Sequence, residues 1–188
     1  MDETIPIGSD EFWILLGLLI FSRGMDFLST WVATPNLVLE GNPIAKRLGW
    51  KWGGLFNVAL CLAFAVTPVV AIAVCTTSLL VAAHNFNNAW LMRTMGESAY
   101  ANWHIDRMLD TSFGFYLACL VGQTSLTAMV GAALLYYGAG YPPVFAIGLG
   151  IVVYAVAVLF FTTLASWRIR RQARWTFPPK FTDDGTPL

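Results

Sequence analysis

The chain has 188 residues, 57% hydrophobic and only 12% charged, with a mean hydropathy of +0.62. Soluble domains carry about 25% charged residues, so this composition excludes an ordinary soluble domain and points to the membrane class. Formal net charge is zero, but the charges are segregated. Asp2, Glu3, Asp10 and Glu11 precede any basic residue, whereas Arg168, Arg170, Arg171, Arg174 and Lys180 crowd the C-terminal end. An acidic start lacks the basic n-region of a cleavable signal peptide, so the first apolar segment reads as a retained span.

Crossing about 30 Å of hydrocarbon takes about 20 apolar residues, and four segments meet that length, at about 12–33, 54–83, 112–137 and 144–167. Trp13, Trp31, Trp52, Trp90, Trp103 and Trp167 fall near their ends, where interfacial aromatic anchors belong.

The first span holds Ser22, Arg23, Asp26, Ser29, Thr30 and Ala33 at spacings of three, four and one, which put them on one helical face. Asp26 can pair with Arg23 at i−3 and reach Thr30 at i+4. A charge at the centre of a span costs about 2.5–3.5 kcal/mol on insertion scales. Such groups face the interior of the protein and by default point to function; the structural alternative is a pair that locks helix packing. Next comes Glu40-Gly41-Asn42-Pro43. Asn42 suits an N-cap and Pro43 the first helical position, predicting a short interfacial helix over 44–48. Glu40 either favours that helix's dipole or supplies a second acid facing Asp26.

The second segment is too long for one crossing: thirty helical residues reach about 45 Å. One reading is a single tilted helix bent at Thr67-Pro68, since proline is tolerated where neighbours satisfy the freed carbonyl. The other is two pieces folded back on each other; the single helix is preferred. At its end His84, Asn85 and Asn88 would lie on or beside one face. A neutral histidine can ligate metal or move protons, but a helix end solvated at the interface explains these residues equally well.

His104, Asp106 and Asp110 offer a metal-like spacing, while Asp106 and Asp110 also suit the first turn of the third span, with Arg107 pairing either. Within that span Gly114, Ala118 and Gly122 repeat every four residues, a pattern that lets a second helix approach closely. Packing within the chain is the preferred partner, ahead of a dimer. The fourth span is almost purely apolar and is expected to face lipid or a partner. Cys61, Cys75 and Cys119 lie in apolar stretches without a paired spacing, as small buried hydrophobes do.

Five of the eleven basic residues follow the fourth span, so the tail (168–188) is expected in the cytoplasm, bound to anionic lipid rather than nucleic acid. With four spans the N-terminus would be cytoplasmic too. Lys46, Arg47 and Lys51 would then face outward against the rule, a conflict that a folded-back second segment removes. None of the nucleophile-elbow, zinc-protease, phosphate-loop or dinucleotide motifs is present.

The run Arg23-Gly24-Met25-Asp26-Phe27-Leu28-Ser29-Thr30, then Glu40-Gly41-Asn42-Pro43, then an apolar segment ending in His84-Asn85 resembles the DUF5658-like family of small prokaryotic membrane proteins of unknown function. The resemblance covers about residues 12–90. Members often carry a lysine inside the second span; here that region has Asn57. The resemblance implies a prokaryotic plasma (inner) membrane location and joins Asp26, Thr30, Glu40, Asn42 and Pro43 in one shared feature. It implies no reaction and no cofactor.

The expectation is therefore an all-α, four-span transmembrane helix bundle, a single domain over 1–167 partnered by the lipid bilayer and by further membrane subunits or copies of itself. Its polar cluster (Arg23, Asp26, Thr30, Glu40, Asn42, His84, Asn85, Asn88) would bind an ion, a small polar solute, a lipid headgroup or a partner subunit. The alternatives are a membrane-embedded enzyme acting on a lipid-like substrate, with Asp26 or Glu40 as general base, and an accessory subunit of a larger complex.

Overall fold

The computed structural model describes residues 4–37 and 43–176, with the backbone alone described for 43–45 and 173–176. Glu40 and Asn42 lie outside the described residues. Among those described, the chain forms α1 (Asp10–Ala33), α2 (Pro43–Phe64), α3 (Pro68–Met95), α4 (Glu97–Asp110), α5 (Phe113–Tyr137) and α6 (Pro142–Thr176), and no strand. Four of them, α1, α3, α5 and α6, are long and apolar enough to cross a membrane, as in an integral membrane protein.

Local chemistry sets most boundaries. Ser9 caps α1 by accepting from the Phe12 amide at 3.2 Å, and Asp10 and Glu11 sit in its first turn, at the positive end of the helix dipole. Ser112 caps α5 in the same way. Gly49, at φ 64 and ψ −171, interrupts α2; that backbone is strained for any residue with a Cβ. Residues 43–48 thus form a separate turn of helix ahead of 50–64.

The single long helix preferred for 54–83 does not form. Thr67 is extended (φ −125, ψ 97) and Pro68 opens α3. A proline disfavours helical backbone in the residue before it and carries no N–H to continue the ladder. The segment is therefore two helices joined through 65–67.

The chain ends are placed by contacts. The Ile5 amide donates to the Val66 carbonyl at 2.9 Å, and Phe12, Leu15, Leu16 and Leu19 bury against Cys61, Ala65 and Ala71. At the far end of α1 the Trp50 indole donates to the Pro35 carbonyl at 3.0 Å, and the Arg93 guanidinium lies over Trp31 at 5.8 Å. So α1 and α3 run parallel, with α2 returning between their ends, lightly packed on both. α6 runs parallel to α3: Thr77 near the start of α3 donates to Gly150 near the start of α6 at 3.0 Å. At the other end Arg170 donates to the carbonyls of Met108 and of Thr111, the C-cap of α4.

The start of α1 and the finish of α6 consequently lie at opposite ends of the molecule. The tail expected from residue 168 is helical to 176.

α6 packs on both α3 and α5 and keeps Val156, Phe160 and Phe161 exposed. One packing expectation needs correction. Among the described residues a Cβ at Gly114 or Gly122 would have open space, and Ala118 between them is exposed, so the stripe does not pack within the chain as expected. The buried face of α5 is that of Leu120, Thr124 and Gly131, rotated away from the stripe. Close approach occurs instead at Gly150, where an added Cβ would come within 2.6 Å of the Ala73 carbonyl oxygen and 2.7 Å of the Thr76 Cβ. Gly150→Ala must push α6 off α3 and should cost about 1–3 kcal/mol, seen as a lower melting temperature in detergent. Gly122→Ala should leave it unchanged.

Candidate functional site

α1 carries its charged pair near mid-length, and the surrounding helices supply the partners. Arg23 Nη1 donates to Asp26 Oδ2 at 2.9 Å and to Ser78 Oγ at 3.3 Å. Arg23 Nε donates to Asn57 Oδ1 at 2.7 Å, and Nη2 donates to the same oxygen. Asn57 is itself oriented through its Nδ2, which donates to the Gly53 carbonyl one turn back at 2.8 Å. The Arg23 and Asp26 side chains are only 27% and 17% exposed, so the pair is largely shielded and binds three helices together. The sequence pattern marks Arg23 and Asp26, and Asn57 only as standing where members of the resembled family often carry a lysine; it does not mark Ser78. A neutral acceptor on α2 is enough because a guanidinium can donate twice to one oxygen.

One and two turns further along, Asn85 Nδ2 donates to Ser29 Oγ and Thr30 Oγ1, both at 3.2 Å, and Ser29 Oγ donates to the Asp26 carbonyl at 2.8 Å. Thr30 and Asn85 thus join the same α1–α3 seam as Arg23 and Asp26. His84 and Asn88 do not. His84 is exposed, and among the described residues Asn88 donates to the His84 carbonyl of its own helix at 3.3 Å.

His104, Asp106 and Asp110 lie along α4, before the Ser112 cap, not in the first turn of the third span. The His104 ring stacks on Tyr100 at 5.9 Å, and partial desolvation lowers its pKa from the usual imidazole value. Asp110 pairs with Arg107 at 3.6 Å. Among the described residues no group of three His, Cys, Asp or Glu side chains comes together as a metal site would need.

A second cluster went unread in the sequence. Glu97, at the start of α4, accepts from Thr34 Oγ1 at 2.6 Å, from the Asn36 amide at 3.1 Å and from Asn36 Nδ2 at 2.9 Å. It ties the chain leaving α1 to α4. Nothing in a lone Glu after a glycine announces that role.

Beside the Arg23 cluster lies a groove of about 360 Å³, at the small end of the range for ligand pockets. Its floor is α3 and its walls are α2 and α6, with Phe64, Val70, Leu149 and Val153 among the lining side chains. Arg23, Thr77 and Ser78 supply its polar edge. The Thr77 proton is committed to the Ala73 and Gly150 carbonyls, which leaves Arg23 and Ser78 as the strong donors able to meet a ligand there.

Compared with known proteins, the chain matches no family model, no curated protein and no solved structure.

Asn57→Leu removes the acceptor of Arg23 Nε and Nη2. Hydrogen bonds to a charged group contribute about 1.5–3 kcal/mol, so this variant should lose about that much stability on unfolding in mixed micelles. Asn88→Ala, which breaks only a contact within its own helix, should unfold like the parent.

Proposed function

We propose that this chain is a membrane protein whose Arg23–Asp26–Asn57–Ser78 cluster holds the polar end of a ligand dissolved in the bilayer, with the ligand's apolar body in the adjoining groove. The observation that carries this reading is the edge formed by the Arg23 guanidinium and the Thr77 and Ser78 hydroxyls on an otherwise apolar groove between α2 and α6. Charged groups at bilayer depth mark ligand or ion pathways more often than packing, and a cavity beside them gives the ligand a place.

A structural reading has its own support, because Arg23 hydrogen-bonds to α2 and α3 as well as to its own helix. The two readings part on one double variant. Removing one member of a buried pair costs about 3–5 kcal/mol, whereas replacing both with apolar residues is often nearly neutral. Arg23→Met combined with Asp26→Leu should therefore remain folded. The parent should release a stoichiometric amphiphile on solvent extraction and mass spectrometry, and the double variant should not. If the parent carries none, or both carry it equally, the cluster is a helix lock.

Kinship with the DUF5658-like family stays a proposal resting on the sequence pattern. Two positions of that pattern far apart in sequence meet in space, Asn85 donating to Thr30.

For orientation, the reading is that the end of the molecule holding Arg47, Lys51, Arg93, Arg107, Arg168, Arg170 and Arg171 faces the cytoplasm, and the acidic start of α1 faces out. This replaces the expectation of two cytoplasmic termini. What supports it is the return of α2, which brings the basic residues after α1 to the same end as those after α6. With the native cysteines replaced by alanine, Ile7→Cys should react with an impermeant maleimide in intact cells and Gln172→Cys should not. Protection of both would restore the arrangement with both termini inside.

A further inference from the structure

The groove's chemistry narrows the class of ligand, resting on the binding reading above. Arg23 has five N–H donors. Four are committed: Nε and one Nη2 proton to Asn57, and the two Nη1 protons to Asp26 and Ser78. One Nη2 proton remains among the described residues. Ser78 is 2% exposed and lines the groove; its oxygen accepts from Arg23, and no described group accepts its own proton. Two donors therefore meet the polar edge of the groove, and buried donors left unmatched cost about 1–3 kcal/mol each. The ligand must bring an acceptor.

Charge sets the second condition. Asp26 already balances the Arg23 guanidinium at 2.9 Å. An anionic head would gain little net attraction and would have to lie close to the Asp26 carboxylate, so a neutral acceptor fits better.

Depth sets the third. Arg23 lies about 20 Å along α1 from Asp10 and about 15 Å from Ala33, near the middle of the span. A phospholipid keeps its ionic head at the surface, and drawing it to mid-depth has the same cost that makes charges rare there. The groove opens sideways: Val70 and Val153 on its rim are 36% and 47% exposed. Entry is thus from the hydrocarbon itself, by something soluble in it.

We infer that the groove takes a neutral, membrane-dissolved molecule with an aliphatic body and one carbonyl-type oxygen, that oxygen accepting from Arg23 Nη2 and the Ser78 hydroxyl. No bond is made or broken.

The test uses the full chain in phosphatidylcholine nanodiscs with four photoreactive probes of equal chain length: an alkyl ketone, an alkane, a fatty carboxylate and an alkyl phosphate. The ketone should crosslink saturably and bind about tenfold or more tightly than the alkane, the difference one or two hydrogen bonds provide. Ser78→Ala should weaken the ketone alone. Val153→Trp, which fills the groove from its rim without touching the polar cluster, should block it while leaving the melting temperature in place. Tighter binding of the carboxylate or phosphate overturns the neutral assignment and leaves the binding reading standing. Equal binding of ketone and alkane, or no effect of Val153→Trp, overturns the inference. Should no probe bind saturably, the binding reading itself falls.

Discussion

A guanidinium held halfway along an apolar helix is the constraint around which the rest of this molecule is arranged. In hydrocarbon an unpaired donor has no water to turn to, and each costs several kcal/mol. α1 can offer Arg23 one acceptor of its own, Asp26 at i+3. The others come from Asn57 and Ser78, which lie on the two sides of the break at 65–67. A single straight helix through this region could not bring both to one side chain of α1. The break ahead of Pro68 and the demand of Arg23 are thus two views of one fact: α2 comes back along α1 so that its amide and α3's hydroxyl meet the same cation.

The groove follows from that arrangement. Gly150 lets α6 sit against the α3 backbone on one side, while α2 rests more loosely on the other, held by Arg23, by the Trp50–Pro35 hydrogen bond and by the edge contact of Phe27 with Trp50 at 5.7 Å. Two helices standing apart over a shared floor leave a channel, and the polar centre lies at its edge. Binding space and the charged pair are therefore adjacent for a structural reason. A ligand reaching Arg23 would touch the contact that holds three helices together, so binding and stability are expected to be linked.

At the basic end different chemistry applies. Arg170 satisfies carbonyls at the finish of α4 and lies over Phe113 at 5.4 Å, while Glu97 gathers the chain that leaves α1. A cation at a helix C-terminus and a carboxylate at a helix N-terminus each match the local dipole. These contacts fasten α4, a short helix of 14 residues, against the ends of the long apolar helices.

Composition and apolar length determined the helical class and the apolar segments, because burial in lipid depends on residues close together in the chain. The same local logic marked Arg23, Asp26 and Thr30 as one face. Which partners they meet was decided only in three dimensions. Asn57, Ser78 and Glu97 look ordinary in sequence, and their importance comes from lying within hydrogen-bond reach of groups dozens of residues away. The small-residue stripe shows the converse: Gly114, Ala118 and Gly122 announce close packing, yet α6 approaches through Gly131, Gly148 and Gly150. Local pattern states what a residue can do. The long-range return of the chain through 65–67 decides what it does, because a buried donor is satisfied by whatever acceptor the packing brings beside it.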